Sequence, residues 1–163
     1  CKTEQSEYGL FGNDGVPSFL VFLGGEYRTA SPGEPLLQPG QWHHLAGVYD
    51  GAEVRLYLDG ALIARAAAPA ERKQNSLPLM IGADVNSKGA AVDHHSGRLD
   101  EVRLSQVARY QGERFTPARR HRTDADTLLL LHADAAMGPW LHDASPAGAH
   151  PALKGSARVQ AEL

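Results

Sequence analysis

The sequence lacks most of the features by which catalytic and membrane proteins are recognised. Its single cysteine is Cys1, so no disulfide can close within the chain and no paired thiols exist for zinc or redox exchange. No apolar run approaches the roughly 20 residues of a membrane-spanning helix, so direct membrane insertion is not expected. Sixteen Lys and Arg face 19 Asp and Glu for a net charge of -3, which provides no global field to draw in nucleic acid or an anionic membrane. Aromatic residues make up 7% and do not interleave with the basic ones, so a stacking platform for single strands is missing too. There is no Gly-x-Ser-x-Gly elbow, no phosphate-cradling glycine loop and no histidine pair at helical spacing. Helical periodicity is nearly absent.

Turn chemistry is plentiful. Seventeen Gly and ten Pro are spread among short apolar runs, the composition of an all-β chain, and the length suits one main domain with a sizeable core. "SEYGLF" (6–11) and "VPSFLVFLGG" (16–25) flank Asn13-Asp14-Gly15, which predicts a hairpin. "GEYRTA" supplies a third strand, and "SPGEPLLQPG" (31–40) breaks regular structure with its prolines. From Trp42, "WHHLAGVYD", "AEVRLYLD" and "ALIARAAA" are separated by Asp50-Gly51 and Asp59-Gly60, the pattern of a three-stranded meander. In its middle run Val54, Leu56 and Leu58 alternate with Glu53, Arg55 and Tyr57, which predicts a strand buried on one face. "LPLMIGAD" (77–84) and "RLDEVRLS" (98–105) are further strands around a polar loop, and "TLLLLHA" (127–133) is expected to be buried on both faces. The basic stretch 106–126 is irregular, with room for one short helical turn. Such spacing predicts a two-sheet antiparallel β-sandwich, or jelly roll.

The acids do not pair as a catalytic or metal site. With a rise of about 3.3 Å per residue, Asp50 and Asp59 lie roughly 25–30 Å apart along their strand, too far to share an ion or act as a glycosidase pair. Their expected role is to form hairpin corners. Asp100 and Glu101 are adjacent and so point to opposite faces, which makes them a poor catalytic couple. Asp100 is expected on the face of Val102 and Leu104, where a buried carboxylate needs amide donors, a donor side chain or a metal. Asp84-Val85-Asn86-Ser87-Lys88-Gly89 resembles the opening of a calcium loop, but Lys88 and His95 stand where ligands belong. A helix-loop-helix site is rejected. A looser calcium site on the sandwich rim, drawn from Asp84, Asn86, Asp93 and Asp100, is the one cofactor expectation. The pairs His43-His44 and His94-His95 face opposite ways in extended chain and cannot chelate together. Arg109, Arg114, Arg119, Arg120 and Arg122 are expected to form a solvated basic loop partly neutralised by Glu113, Asp124 and Asp126.

Taken together, "GQWHHLAGVYDGAEVRLYLDGALIA", "LMIGAD" and "GRLDEVRLSQVARY" resemble the laminin-G-like jelly rolls of the concanavalin A-like lectin and glucanase superfamily. The resemblance is carried by Trp42, His44, Ala46, Tyr49 to Gly51, Tyr57 to Gly60, Ile81-Gly82 and Gly97 to Arg103, with Asp100, Glu101 and Arg103 in the last piece. It covers roughly residues 6 to 132, and implies an extracytoplasmic, usually non-catalytic module of a larger protein that binds glycans or proteins and sometimes calcium. The Glu-x-Asp-x-x-Glu strand of the family's glucanases is not matched by Leu99-Asp100-Glu101-Val102-Arg103, so no enzymatic activity is carried over. Ligand contacts are expected on the rim loop at Asn86, Lys88, His94 and His95, and neighbouring domains of the parent protein are expected partners. Residues 1–132 are taken as the jelly roll, short of its usual first strands. Residues 133–163 either complete the same sandwich or begin a following repeat. Cys1 is either a lipid-anchor position or a fragment start, the second being preferred.

Overall fold

The computed structural model describes residues 7–72 and 74–160, so both readings of Cys1 lie outside the described residues. Eleven strands and no helix occur among those residues. The chain divides into two compact units, each built from two stretches: Cys1–Ser96 with Ala108–Pro117, and Gly97–Val107 with Ala118–Leu163.

The first unit opens with β1 (Tyr8–Asn13), β2 (Val16–Leu23) and β3 (Glu26–Ala30), antiparallel in the order β1-β2-β3. Asp14 and Gly15 both take positive φ, 50° and 79°, the demand of a two-residue hairpin turn that Asp-Gly meets at low cost. Along β2, Pro17, Phe19, Val21 and Leu23 are buried while the residues between are only partly so, the two-residue period realised. A second sheet, β4 (Leu45–Tyr49), β5 (Glu53–Leu58) and β6 (Ala61–Ala67), is the expected meander. Phe19, Val21 and Leu23 of β2, Ala30 of β3, Val54 and Leu56 of β5, and Ala68 form one apolar cluster. Each large member contributes about 1.5–3 kcal/mol by leaving water. Contact between the sheets is close enough to dictate Gly47: a Cβ there would lie 2.3 Å from the Phe19 ring.

The observed strands differ from the sequence pattern at four places. Regular strand begins at Leu45, not Trp42, and the Trp42 side chain is 60% exposed in the preceding loop. Strand β5 is covered on both faces, with Arg55 9% and Tyr57 0% exposed. Residues 77–83 are irregular, leaving only β7 (Asp84–Val85) paired with β8 (Ala91–Val92), because no neighbouring ladder accepts the rest. The stretch 106–126 contains no helical turn.

Tyr57 is covered by residues 108–117. Tyr110 and Phe115 stack at 3.7 Å between ring centroids and meet Tyr57 and His44 edge-on. The Tyr57 hydroxyl donates to Gly112 O. This loop is bound to the corner after β5, since Phe115 N donates to Gly60 O and Leu62 N to Glu113 O.

In the second unit, β9 (Val102–Ser105), β10 (Thr127–Met137) and β11 (Trp140–Asp143) form an antiparallel sheet in the order β9-β10-β11. The strand predicted at 98–105 therefore shortens to its last four residues. Glu101 interrupts it with φ 50°, and the face assignment of Asp100 fails with it: Asp100 is exposed, and Glu101 is the partly buried acid. Thr127, Leu129, Leu130 and Leu131 are buried, but Leu128 is 43% exposed, so the two-faced burial expected of 127–133 holds only in part, and β10 continues through the 132/133 boundary into an exposed hairpin.

Candidate functional site

The two Asp-Gly corners do different work. At the first, Asp50 Oδ1 accepts from Ala52 N and Glu53 N, and Oδ2 accepts from Arg55. Those amides, aided by the guanidinium, hold the Asp50 carboxyl below its usual range. At the second, Asp59 and Gly60 both take positive φ, 50° and 81°. Asp59 Oδ1 accepts from His44 N at 2.8 Å and Oδ2 lies 2.9 Å from His43 Nδ1. Gln38 N donates to His43 Nε2, which leaves the ring proton on Nδ1 and makes His43 the donor to Asp59. Burial pushes the Asp59 carboxyl up, but the His43 and His44 donors outweigh it and the net shift is downward. Asp50 is committed to its own corner and to β5, and Asp59 to the chain entering the meander.

On the rim, the loop between β7 and β8 is organised by Asn86, whose Oδ1 accepts from Lys88 N and Ala90 N, both at 3.0 Å. Asp84 Oδ1 accepts from Val85 N at 2.6 Å. Asp93 has φ 47° and is exposed, as are Lys88, His94 and His95. The loop thus brings Asp84, Asn86 and Asp93 into one small hairpin, whereas Asp100 belongs to the other unit. Among the described residues no group of three or more His, Cys, Asp or Glu is placed to hold a metal ion.

The second unit brings together residues that sequence reasoning kept apart. Asp100 Oδ1 accepts from Glu101 N at 2.8 Å, an arrangement that supports the left-handed turn at Glu101. Glu101 Oε2 then accepts from His121 N at 2.7 Å, and Oε1 lies 2.6 Å from His132 Nδ1. Arg120 donates to Asp134 at 2.6 Å and lies 3.8 Å from Glu101 Oε1. That hydrogen bond holds the Asp134 carboxyl below its usual range.

His132, Arg120, Asp134 and His142 meet because β10 bulges. Leu131 pairs with Asp143 and Ala136 with Leu141, so four residues on β10 oppose His142 alone on β11. Ala133, inside the bulge, has φ 55°, and the displaced backbone encloses a pocket of about 190 Å³ lined by Arg120, His132, Ala133, Asp134, Ala135 and His142. Sequence reasoning placed His132 at the end of a buried run and Arg120 in a solvated loop. The only available signal was the break in apolar character after Leu131; a bulge leaves no turn signature of its own.

Residues 3–113 match the laminin-G-type family model described as the concanavalin A-like lectin/glucanases superfamily. Mouse (Mus musculus) pappalysin-1 is 37% identical over 81 residues, 46% of this chain and 5% of that protein. Human (Homo sapiens) pappalysin-1 is 33% identical over 100 residues, 56% of this chain and 6% of that protein. The chain therefore spans about one-twentieth of these relatives' length. No solved structure matches.

Proposed function

The chain belongs to the concanavalin A-like lectin/glucanases superfamily, and from that premise we propose that it is a non-catalytic binding module of a larger secreted or cell-surface protein, directed at a glycan or protein ligand. The observation that carries the non-catalytic reading is the fate of the acids. Asp50, Asp59 and Glu101 each spend both carboxylate oxygens on backbone amides or on Arg55, His43 and His132. An acid so engaged is poorly placed to donate a proton to a leaving group or to attack a sugar carbon. Coverage of only a small fraction of the relatives' length supports the place within a larger protein.

The rim residues Lys88, His94 and His95 offer one exposed polar surface for such a ligand. The whole chain should be retained by members of a glycan array or by a protein ligand, and should leave β-glucans uncleaved. Hydrolysis that disappears in Glu101→Gln or Asp100→Asn would overturn the reading. Trp140 and Met137 favour a second reading, packing against a neighbouring domain: they face each other across the β10–β11 hairpin, 48% and 45% exposed.

A further inference from the structure

We propose that the pocket formed by the β10 bulge is a binding subsite for one neutral sugar ring, held by Arg120, His132, Asp134 and His142. This rests on the binding-module reading in its glycan form and assigns it a second site away from the rim.

The bulge is the first support. Four residues standing against one costs the ladder its regular hydrogen bonds, and it re-aims His132 and Asp134 toward the pocket. Non-glycine left-handed backbone occurs at both Glu101 and Ala133, on either side of the Glu101–His132 contact. Strain of that kind persists where surrounding structure fixes it, and it clusters at ligand sites.

The chemistry of the wall is the second support. Glu101 Oε1 faces His132 Nδ1 at 2.6 Å, and Glu101 itself does not line the pocket. The contact orients the ring and leaves Nε2 as the polar atom for a ligand. Arg120 and Asp134 neutralise each other at 2.6 Å while exposing further donors and acceptors along their fork. A polyol can both donate to Asp134 and accept from Arg120 without separating that pair. An anion would compete with Asp134 and meet Glu101, 3.8 Å from Arg120; a cation would compete with Arg120. Ala133 and Ala135 add a small apolar wall for the C–H face of a ring. A volume near 190 Å³ holds about six waters at ~30 Å³ each, the room of a single pyranose.

The test is titration of the 15N-labelled chain with methyl α-glucoside, methyl β-galactoside and methyl α-mannoside, with glucuronate and glucosamine as charged counterparts. Saturable shifts are expected at the amides of 132–135 and 142 for at least one neutral glycoside. A dissociation constant in the millimolar range suits a ring of about a dozen heavy atoms. Arg120→Gln and His142→Ala alter exposed side chains and should each weaken binding at least about fivefold with Tm unchanged. Saturation by only the charged counterparts, or by neutral glycosides with both variants unaffected, would overturn the subsite. Array binding that survives both variants but is lost in a Lys88→Ala/His94→Ala/His95→Ala variant would overturn the subsite and leave the module reading standing. Absence of any glycan binding by the wild-type chain would remove the subsite together with the glycan form of that reading.

Discussion

Replacing the glycine of each Asp-Gly corner by alanine should separate two turns that look alike in sequence. Gly51 has φ 94° with nothing within 4 Å of an added Cβ, whereas Gly60 has φ 81° and a Cβ there would lie 2.1 Å from Phe115 O and 2.8 Å from Pro117 Cδ. Both variants bear the left-handed cost of about 1 kcal/mol. Gly60→Ala must also push residues 113–117 away. Two backbone hydrogen bonds, Phe115 N to Gly60 O and Leu62 N to Glu113 O, are then lost at about 0.5–1.5 kcal/mol each. The Phe115 ring, 5.3 Å from Tyr57, is uncovered at about 1.5–3 kcal/mol. The sum is about 3.5–7 kcal/mol for Gly60→Ala against about 1 kcal/mol for Gly51→Ala. At about 2–4 °C per kcal/mol for a chain of this size, thermal unfolding followed by circular dichroism should show a drop of about 3 °C for Gly51→Ala and about 10–20 °C for Gly60→Ala. Asparagine, which tolerates left-handed backbone, should restore position 51 and fail at position 60. Equal melting temperatures for the two alanine variants would refute the packing of residues 108–117 on the meander.

Gly47→Ala should cost about 1–3 kcal/mol by overpacking against Phe19, and a Phe19→Leu background should absorb much of that cost in a double-mutant cycle. Burial raises the Asp143 carboxyl, but the N–H groups of Leu130, Ser145 and Ala149 and the Ser145 hydroxyl outweigh it and leave it lowered. A folded carboxyl below its unfolded value stabilises fully above that value, so the contribution should fade as pH falls below about 4. Asp143→Asn should cost about 2–4 kcal/mol at neutral pH, as amide donors then meet an NH₂, and denaturant titrations across pH 2–6 should show its acid limb flattened. If Asp84, Asn86 and Asp93 hold calcium, Tm should rise with added calcium and fall with chelator, and Asp93→Asn should abolish that dependence; a Tm indifferent to both would refute the rim site.

Turns and local pairing were legible in the sequence because they depend on neighbours. Asp14-Gly15 and Asp59-Gly60 name their backbone conformation, and β2 names its buried face. What depended on distant chain was not legible. Nothing in "AEVRLYLD" foretells that Tyr57 will be covered from residues 108–117, so one-sided burial was the natural inference and a mistaken one. Parity fails wherever the backbone leaves the extended region, which is why Asp100 and Glu101 exchanged their expected environments. The family motif located the acids of the candidate site but not their use. His132, Arg120 and Asp134 converge through a bulge in the pairing of β10 with β11, between Leu131 and Ala136.

The cover over Tyr57 also sets an order of events during synthesis. The side chain emerges from the ribosome 55 residues ahead of Gly112, the carbonyl that receives its hydroxyl. Through that interval the meander exposes an aromatic face with nothing of its own to close it. Strand β9 is made in the same interval and must wait for Leu129, Leu130 and Leu131. The nascent chain thus holds two unfinished surfaces at once, and long-range closures of this kind are slow. Chaperone demand should accordingly peak just before residue 117 is complete.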